Sequence, residues 1–228
     1  MQYQLNISID ANGLQMIYAS GQSVTIVKSV VSNPLPGGTL PVAWTVFQPL
    51  EENAVSWTDS YSIYATTTQI MAGAMIVQTS MTPASVQTGW TYTFSNGQFT
   101  GAQGGVSDAF NMSNQQGGMF NFGLSQQAVV NNVMTMAPLN AIPVLQNQVA
   151  SFTPIQTISV FLSNASNSGT VLGQVPYNAL TFSLSSQVAA NIGFNDASNS
   201  FYLLSGALMS SHAYAQRPRS SVAKASQS

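Results

Sequence analysis

Tyr3, Leu5, Ile7 and Ile9 alternate with Gln4, Asn6, Ser8 and Asp10, and a period of two dictates an extended strand with one buried face. The same signature returns along most of the chain. Val42, Trp44 and Val46 share one face of a strand that Pro49 ends, ahead of an acidic corner at Glu51 and Glu52. Beyond it Val55, Trp57, Tyr61, Ile63 and Ala65 oppose Ser56, Thr58, Ser60, Ser62 and Thr66, a set rich in the aromatic and β-branched residues that suit a pleated surface. Further strands are predicted over residues 22–31, 70–79, 119–124, 129–136, 155–162, 179–184 and 201–209. The small residues Ala72, Gly73 and Ala74 inside the 70–79 segment predict a close approach by a bulky neighbour.

Turn chemistry separates these strands. Asn96-Gly97 between residues 90–94 and 98–100 supplies the two positive φ values of a type I′ hairpin. Residues 33–38, with Pro34, Pro36, Gly37 and Gly38, form a loop, and the glycine- and glutamine-rich residues 101–118 read as another. One helix is expected: Asp10 as its N-cap, Leu14, Ile17 and Tyr18 as its apolar stripe, Gly21 as its stop. Residues 186–191 fit one helical turn or a bend. Long stripes of period 3.6 are missing, so the fold class is all-β: a sandwich or barrel of many short antiparallel strands with at most one or two short helices. One domain over residues 1–209 is expected, followed by a basic, mobile tail over 210–228.

Composition narrows function. Charged residues are 4% of the chain, where about 25% is usual, while Ser, Thr, Asn and Gln number 88 of 228; hydroxyls and amides therefore solvate the surface. Residues 1–209 hold Lys28 against six acids, a balance of −5, and Arg217, Arg219 and Lys224 return +3. Without clustered Lys and Arg, nucleic-acid binding is not expected. Low net charge does permit self-association. The absence of cysteine excludes disulfides and thiolate chemistry. Neither a leader-like start nor a spanning apolar run is evident, which predicts a cytoplasmic protein.

Proton-transfer chemistry has few candidates. His212 lies in the tail, and Glu51, Glu52 and Asp59 fit corner charges better than the paired carboxylates of glycoside hydrolysis. Met134 and Met136 lack a neighbouring Cys or His and read as core filler rather than a copper site. No catalytic residue and no metal site is expected. Trp44, Trp57, Tyr61, Tyr64, Trp90 and Tyr92 are the candidate ligand-binding residues, since indoles and phenols join an apolar face to a polar tip. They predict a non-enzymatic binding protein for a small apolar or aromatic molecule. Two alternatives are a membrane-active β-pore former, with residues 56–82 as the inserting hairpin, and a lectin-like glycan binder.

The cysteine-free chain with the run PVAWTVFQPLEENAVSWTDSYSIYATTT resembles the pink chromoprotein of mushroom fruiting bodies and its relatives. That resemblance implies a cytosolic pigment carrier with a non-covalently bound, indole-derived organic chromophore and no catalysis. It places no site residue on this chain.

Overall fold

A computed structural model describes residues 1–209 apart from Pro36, Gly38 and Ala84, and for residues 205–209 the backbone. The expected basic tail, His212 within it, and part of the 33–38 loop lie outside the described residues. In chain order the elements are β1 (Gln2–Ser8), α1 (Ala11–Ser20), β2 (Ser23–Asn33), β3 (Thr45–Phe47), β4 (Glu52–Thr66), β5 (Ser80–Met81), β6 (Trp90–Ser95), β7 (Gln98–Gln103) and β8 (Phe110–Asn114). They continue as β9 (Phe120–Val130), β10 (Val133–Pro138), β11 (Ile142–Val144), β12 (Val149–Ser163), β13 (Leu180–Ser183), β14 (Ala189–Asn195) and β15 (Ser200–Met209).

The strands form two sheets, and the chain is an all-β, sandwich-like protein. One sheet runs β10-β9-β4-β1-β14-β15, with β5 added to β4 and β11 to β9; the other runs β3-β2-β12-β8-β6-β7, with β13 added to β12. Pairing is antiparallel except for β1 with β14 and β6 with β8. The inward rows of both sheets merge into one apolar core that includes Leu5, Ile7, Ile26, Ile63, Phe122, Phe152 and Val160. Burial of such side chains is the main term holding the sheets face to face.

Local chemistry explains the ends of the elements. Asp10 Oδ1 accepts from the Gly13 amide at 2.8 Å and caps α1, and Gly21 closes it at φ +67°. Asn96 and Gly97 have φ of 50° and 75°, and join β6 to β7 as the dipeptide predicts. A second turn of this kind, Asn131 and Asn132 at 49° and 68°, joins β9 to β10.

Four expectations are corrected. Residues 70–79 form an irregular segment rather than a strand, tied to residues 169–171 by an isolated bridge from Met75 to Thr170 and the backbone hydrogen bonds beside it. A turn closed by Ala74 N–H to Met71 C=O breaks it, and its apolar residues serve instead to cover Tyr64. Gly73 is required there for its φ of +84°, not for close packing, because nothing would lie within 4 Å of an added Cβ. Residues 110–114, assigned to a loop, are β8, and of residues 186–191, expected as a helical turn or a bend, the first three bend while residues 189–191 open β14.

Candidate functional site

The inward row of β2 runs Val24, Ile26, Lys28, so the only basic residue among residues 1–209 enters the core in phase with two aliphatic side chains. Lys28 is 1% exposed. Its Nζ donates to Tyr61 Oη at 3.0 Å and to Gln126 Oε1 at 2.9 Å. It also lies 5.7, 5.8 and 5.2 Å from the ring centroids of Trp44, Trp57 and Tyr61, within range of cation–π attraction.

Two bulges face each other around this amine. In the first sheet the β4–β9 register slips between Trp57 and Tyr61, and in the second the β12–β2 register slips between Pro154 and Ile158. Bulges re-aim side chains. Here the first holds Asp59 and the second Gln156, whose Nε2 donates to Asp59 Oδ1 at 2.8 Å. Asp59 also accepts from Tyr3 Oη at 3.2 Å and from Tyr61 Oη at 3.3 Å. Lys28 Nζ, Tyr61 Oη and Asp59 therefore form a continuous chain from the core to the rim.

Burial dominates the electrostatics. It lowers the Lys28 amine to about 8, with Asp59 drawing it partly back. Burial also pushes Tyr61 up, and Asp59 adds to that shift; Tyr3 rises to about 12 for the same two reasons.

Of the six aromatic candidates, the structure gathers Trp44, Trp57 and Tyr61 into this cage. Trp44 meets Trp57 edge-on at 5.3 Å and donates Nε1–H to Gln126 C=O at 3.0 Å, while Tyr3 stacks on Trp57 at 5.6 Å. Tyr64 lies elsewhere, in a small cluster with Val42, Ile76, Ala141 and Val171, and donates to Asn140 C=O at 2.6 Å. Trp90 and Tyr92 are half-buried on β6; the Tyr92 hydroxyl accepts from the Gln87 amide at 2.8 Å. The cage interior is filled by the lysine itself. Sequence reasoning passed over Lys28 and Gln126, although a lone base in an apolar strand row was the available signal.

The carboxylates do not converge. Glu52 bonds Ser8 at one end of the sheet, whereas Asp59 lies seven residues further along β4, roughly 20 Å at the rise of a strand. No cluster of three or more His, Asp or Glu that could hold a metal exists among the described residues.

A groove opens where the edge strands β3 and β10 leave the sandwich uncovered on one side. Its volume is about 450 Å³; Phe47, Leu50, Val130, Val133 and Met134 line it together with Thr45, and no charged side chain does. Val133 and Met134 are 69% and 66% exposed. Thr45 is 0% exposed, and its Oγ1 has no hydrogen-bond partner in the protein. A buried hydroxyl left unpaired costs about 1–3 kcal/mol. A second concavity of about 480 Å³, lined by Leu40, Ile70, Met119 and Asn121, has its buried amide satisfied, since Asn121 Nδ2 donates to Thr68 C=O at 2.8 Å.

No family model, curated protein or solved structure matches the chain. Among the described residues no helix is long and apolar enough to cross a membrane.

Proposed function

We propose that this is a non-enzymatic binding protein that holds one small, uncharged, largely apolar molecule in the groove between β3 and the β9–β10 hairpin. The lining of the groove, apolar side chains beside uncharged polar ones and no charged group, carries this reading. Phe47, Leu50, Val130, Val133 and Met134 supply its apolar surface and Gln48, Asn131, Thr135 and Ser168 its uncharged polar groups, the composition of a site that takes an apolar body and orients it by a few hydrogen bonds. With no titratable side chain on that wall, the groove is suited to holding its occupant unchanged. A pigment chromophore is one molecule of this class. Protein purified from its natural source would then carry a visible absorbance band that denaturation abolishes.

Insertion of residues 56–82 into a bilayer has less support. β4 lies between β1 and β9, and its release would break both ladders.

The test uses N-phenyl-1-naphthylamine, an uncharged aromatic amine whose emission rises in apolar surroundings. Saturable binding at one site per chain is expected. Val133→Glu, at an exposed position, should weaken it about tenfold or more by placing a carboxylate on the apolar wall. Thr45→Val should stabilise the unliganded fold by about 1 kcal/mol, because an unpaired buried hydroxyl is removed at constant shape. Absence of saturable binding, or equal affinity in Val133→Glu, would overturn the assignment.

A further inference from the structure

We propose that Lys28 and Gln126 condense into an intramolecular amide, a covalent staple between the two sheets. Lys28 belongs to β2 of one sheet and Gln126 to β9 of the other, and Nζ donates at 2.9 Å to Oε1, the oxygen of the carbonyl it would attack. Both side chains are buried, at 1% and 0% exposure. The amide is held in place because its Nε2 donates to Thr58 C=O, at 2.6 Å, in the β4 bulge. Such fixed proximity raises the effective concentration of the amine by orders of magnitude over a free one.

The step balances without a co-reactant. The unprotonated Nζ attacks Gln126 Cδ and forms a C–N bond; the Cδ–Nε2 bond breaks, and Nε2 departs as ammonia. The proton lost by Nζ supplies the departing nitrogen. Tyr61 Oη, 3.0 Å from Nζ and 3.3 Å from Asp59 Oδ1, is placed to relay it, with the carboxylate as transient acceptor. Tyr61 touches the reacting nitrogen, and Asp59 acts through Tyr61. Burial favours the neutral amine that the attack requires. The rings of Trp44, Trp57 and Tyr61 pack around Nζ, and the burial of Lys28 and Gln126 keeps competing water from the carbonyl. In a chain without cysteine, such an amide supplies the cross-sheet tie that a disulfide provides elsewhere.

The folded full-length chain is incubated above pH 8, denatured and weighed intact, then digested with trypsin. Lys28 is the only tryptic site before Arg219, because Pro218 blocks cleavage after Arg217, so a free amine releases residues 1–28 and an acylated one does not. The expected result is a mass lower by one ammonia, no fragment 1–28, and a tandem spectrum joining Lys28 to Gln126. Gln126→Met should restore both the full mass and the fragment. The unmodified mass with release of residues 1–28 would overturn the proposal, as would loss of ammonia with that fragment still released.

Discussion

Gly123→Ala is expected to destabilise the fold by about 3 kcal/mol or more, the range reserved for a steric conflict in a packed core. Gly123 lies in β9 opposite Tyr64 of β4. A Cβ built there falls onto the backbone carbonyl of Asn140, which accepts the Tyr64 hydroxyl. Asn140 cannot yield easily. Its Oδ1 accepts from the Leu124 amide at 2.9 Å and its Nδ2 donates to Ser32 Oγ at 3.0 Å, so one residue ties β9 to β2 across the sandwich. A methyl group at Gly123 therefore displaces a buried network that joins both sheets. Urea unfolding should show a markedly lower midpoint for Gly123→Ala, while Gly117→Ala, with nothing within 4 Å of the added Cβ, should stay within about 0.5 kcal/mol of the parent. Equal midpoints for the two variants would contradict the packing described at Asn140.

Stability should peak at alkaline pH wherever the Lys28 amine is free. In the unfolded chain that amine titrates at its ordinary 10.5, and in the folded one at about 8. Below pH 8 both states carry the proton and the cost of burying the charge is fully present. Between pH 8 and 10.5 the unfolded state holds a proton that the folded state has released, so stability rises with pH. The gap between 10.5 and about 8 amounts to about 3 kcal/mol at full span. Tyrosines act in the opposite sense. Burial raises Tyr3, Tyr61 and Tyr64, so above about pH 10 the unfolded chain loses phenolic protons that the folded chain keeps, and stability falls. Asp59, bonded to Tyr3 and Tyr61, is the carboxylate facing this group. Gln126→Met leaves the amine without a carbonyl to join, and its urea midpoint should climb from pH 7 to about 9.5. Lys28→Met should show no climb over that interval, and a climb of equal size in Lys28→Met would remove Lys28 as its cause.

Elements written in local chemistry were legible in the sequence. Asp10 and Gly21 bound α1 because both caps act through the nearest backbone groups, and Asn96-Gly97 sets its hairpin because φ is a property of those two residues. Elements decided by distant partners were hidden. β8 reads as polar loop because Asn111, Ser113 and Asn114 are buried, and the two asparagines bond backbone groups, as with Asn114 Nδ2 to Val144 C=O at 2.9 Å. β14 lacks alternation because it is covered on both faces beside its parallel neighbour β1. The turn at Asn131 and Asn132 carried its own signal, two residues tolerant of positive φ, and reading it would have placed the break between β9 and β10.

The aromatic site was legible in part. Alternation placed Trp57 and Tyr61 on one inward row, but the lysine they surround comes from the opposite sheet, and no local pattern announces that juxtaposition. The groove was beyond reach for the same reason: Thr45 and Val133 share a wall only because β3 and β10 are the edge strands on one side of two different sheets.

We propose that a neutral ligand seats between those two edges. The most direct measurement is a titration of ¹⁵N-labelled protein with N-phenyl-1-naphthylamine, followed by backbone amide shifts. Saturable shifts confined to Thr45, Val46, Phe47 and Gln48, to Asn131 through Thr135 and to Ser168 are predicted. Shifts centred on Trp90 and Tyr92, on the wall formed by Leu40 and Ile70, or nowhere at all would contradict it.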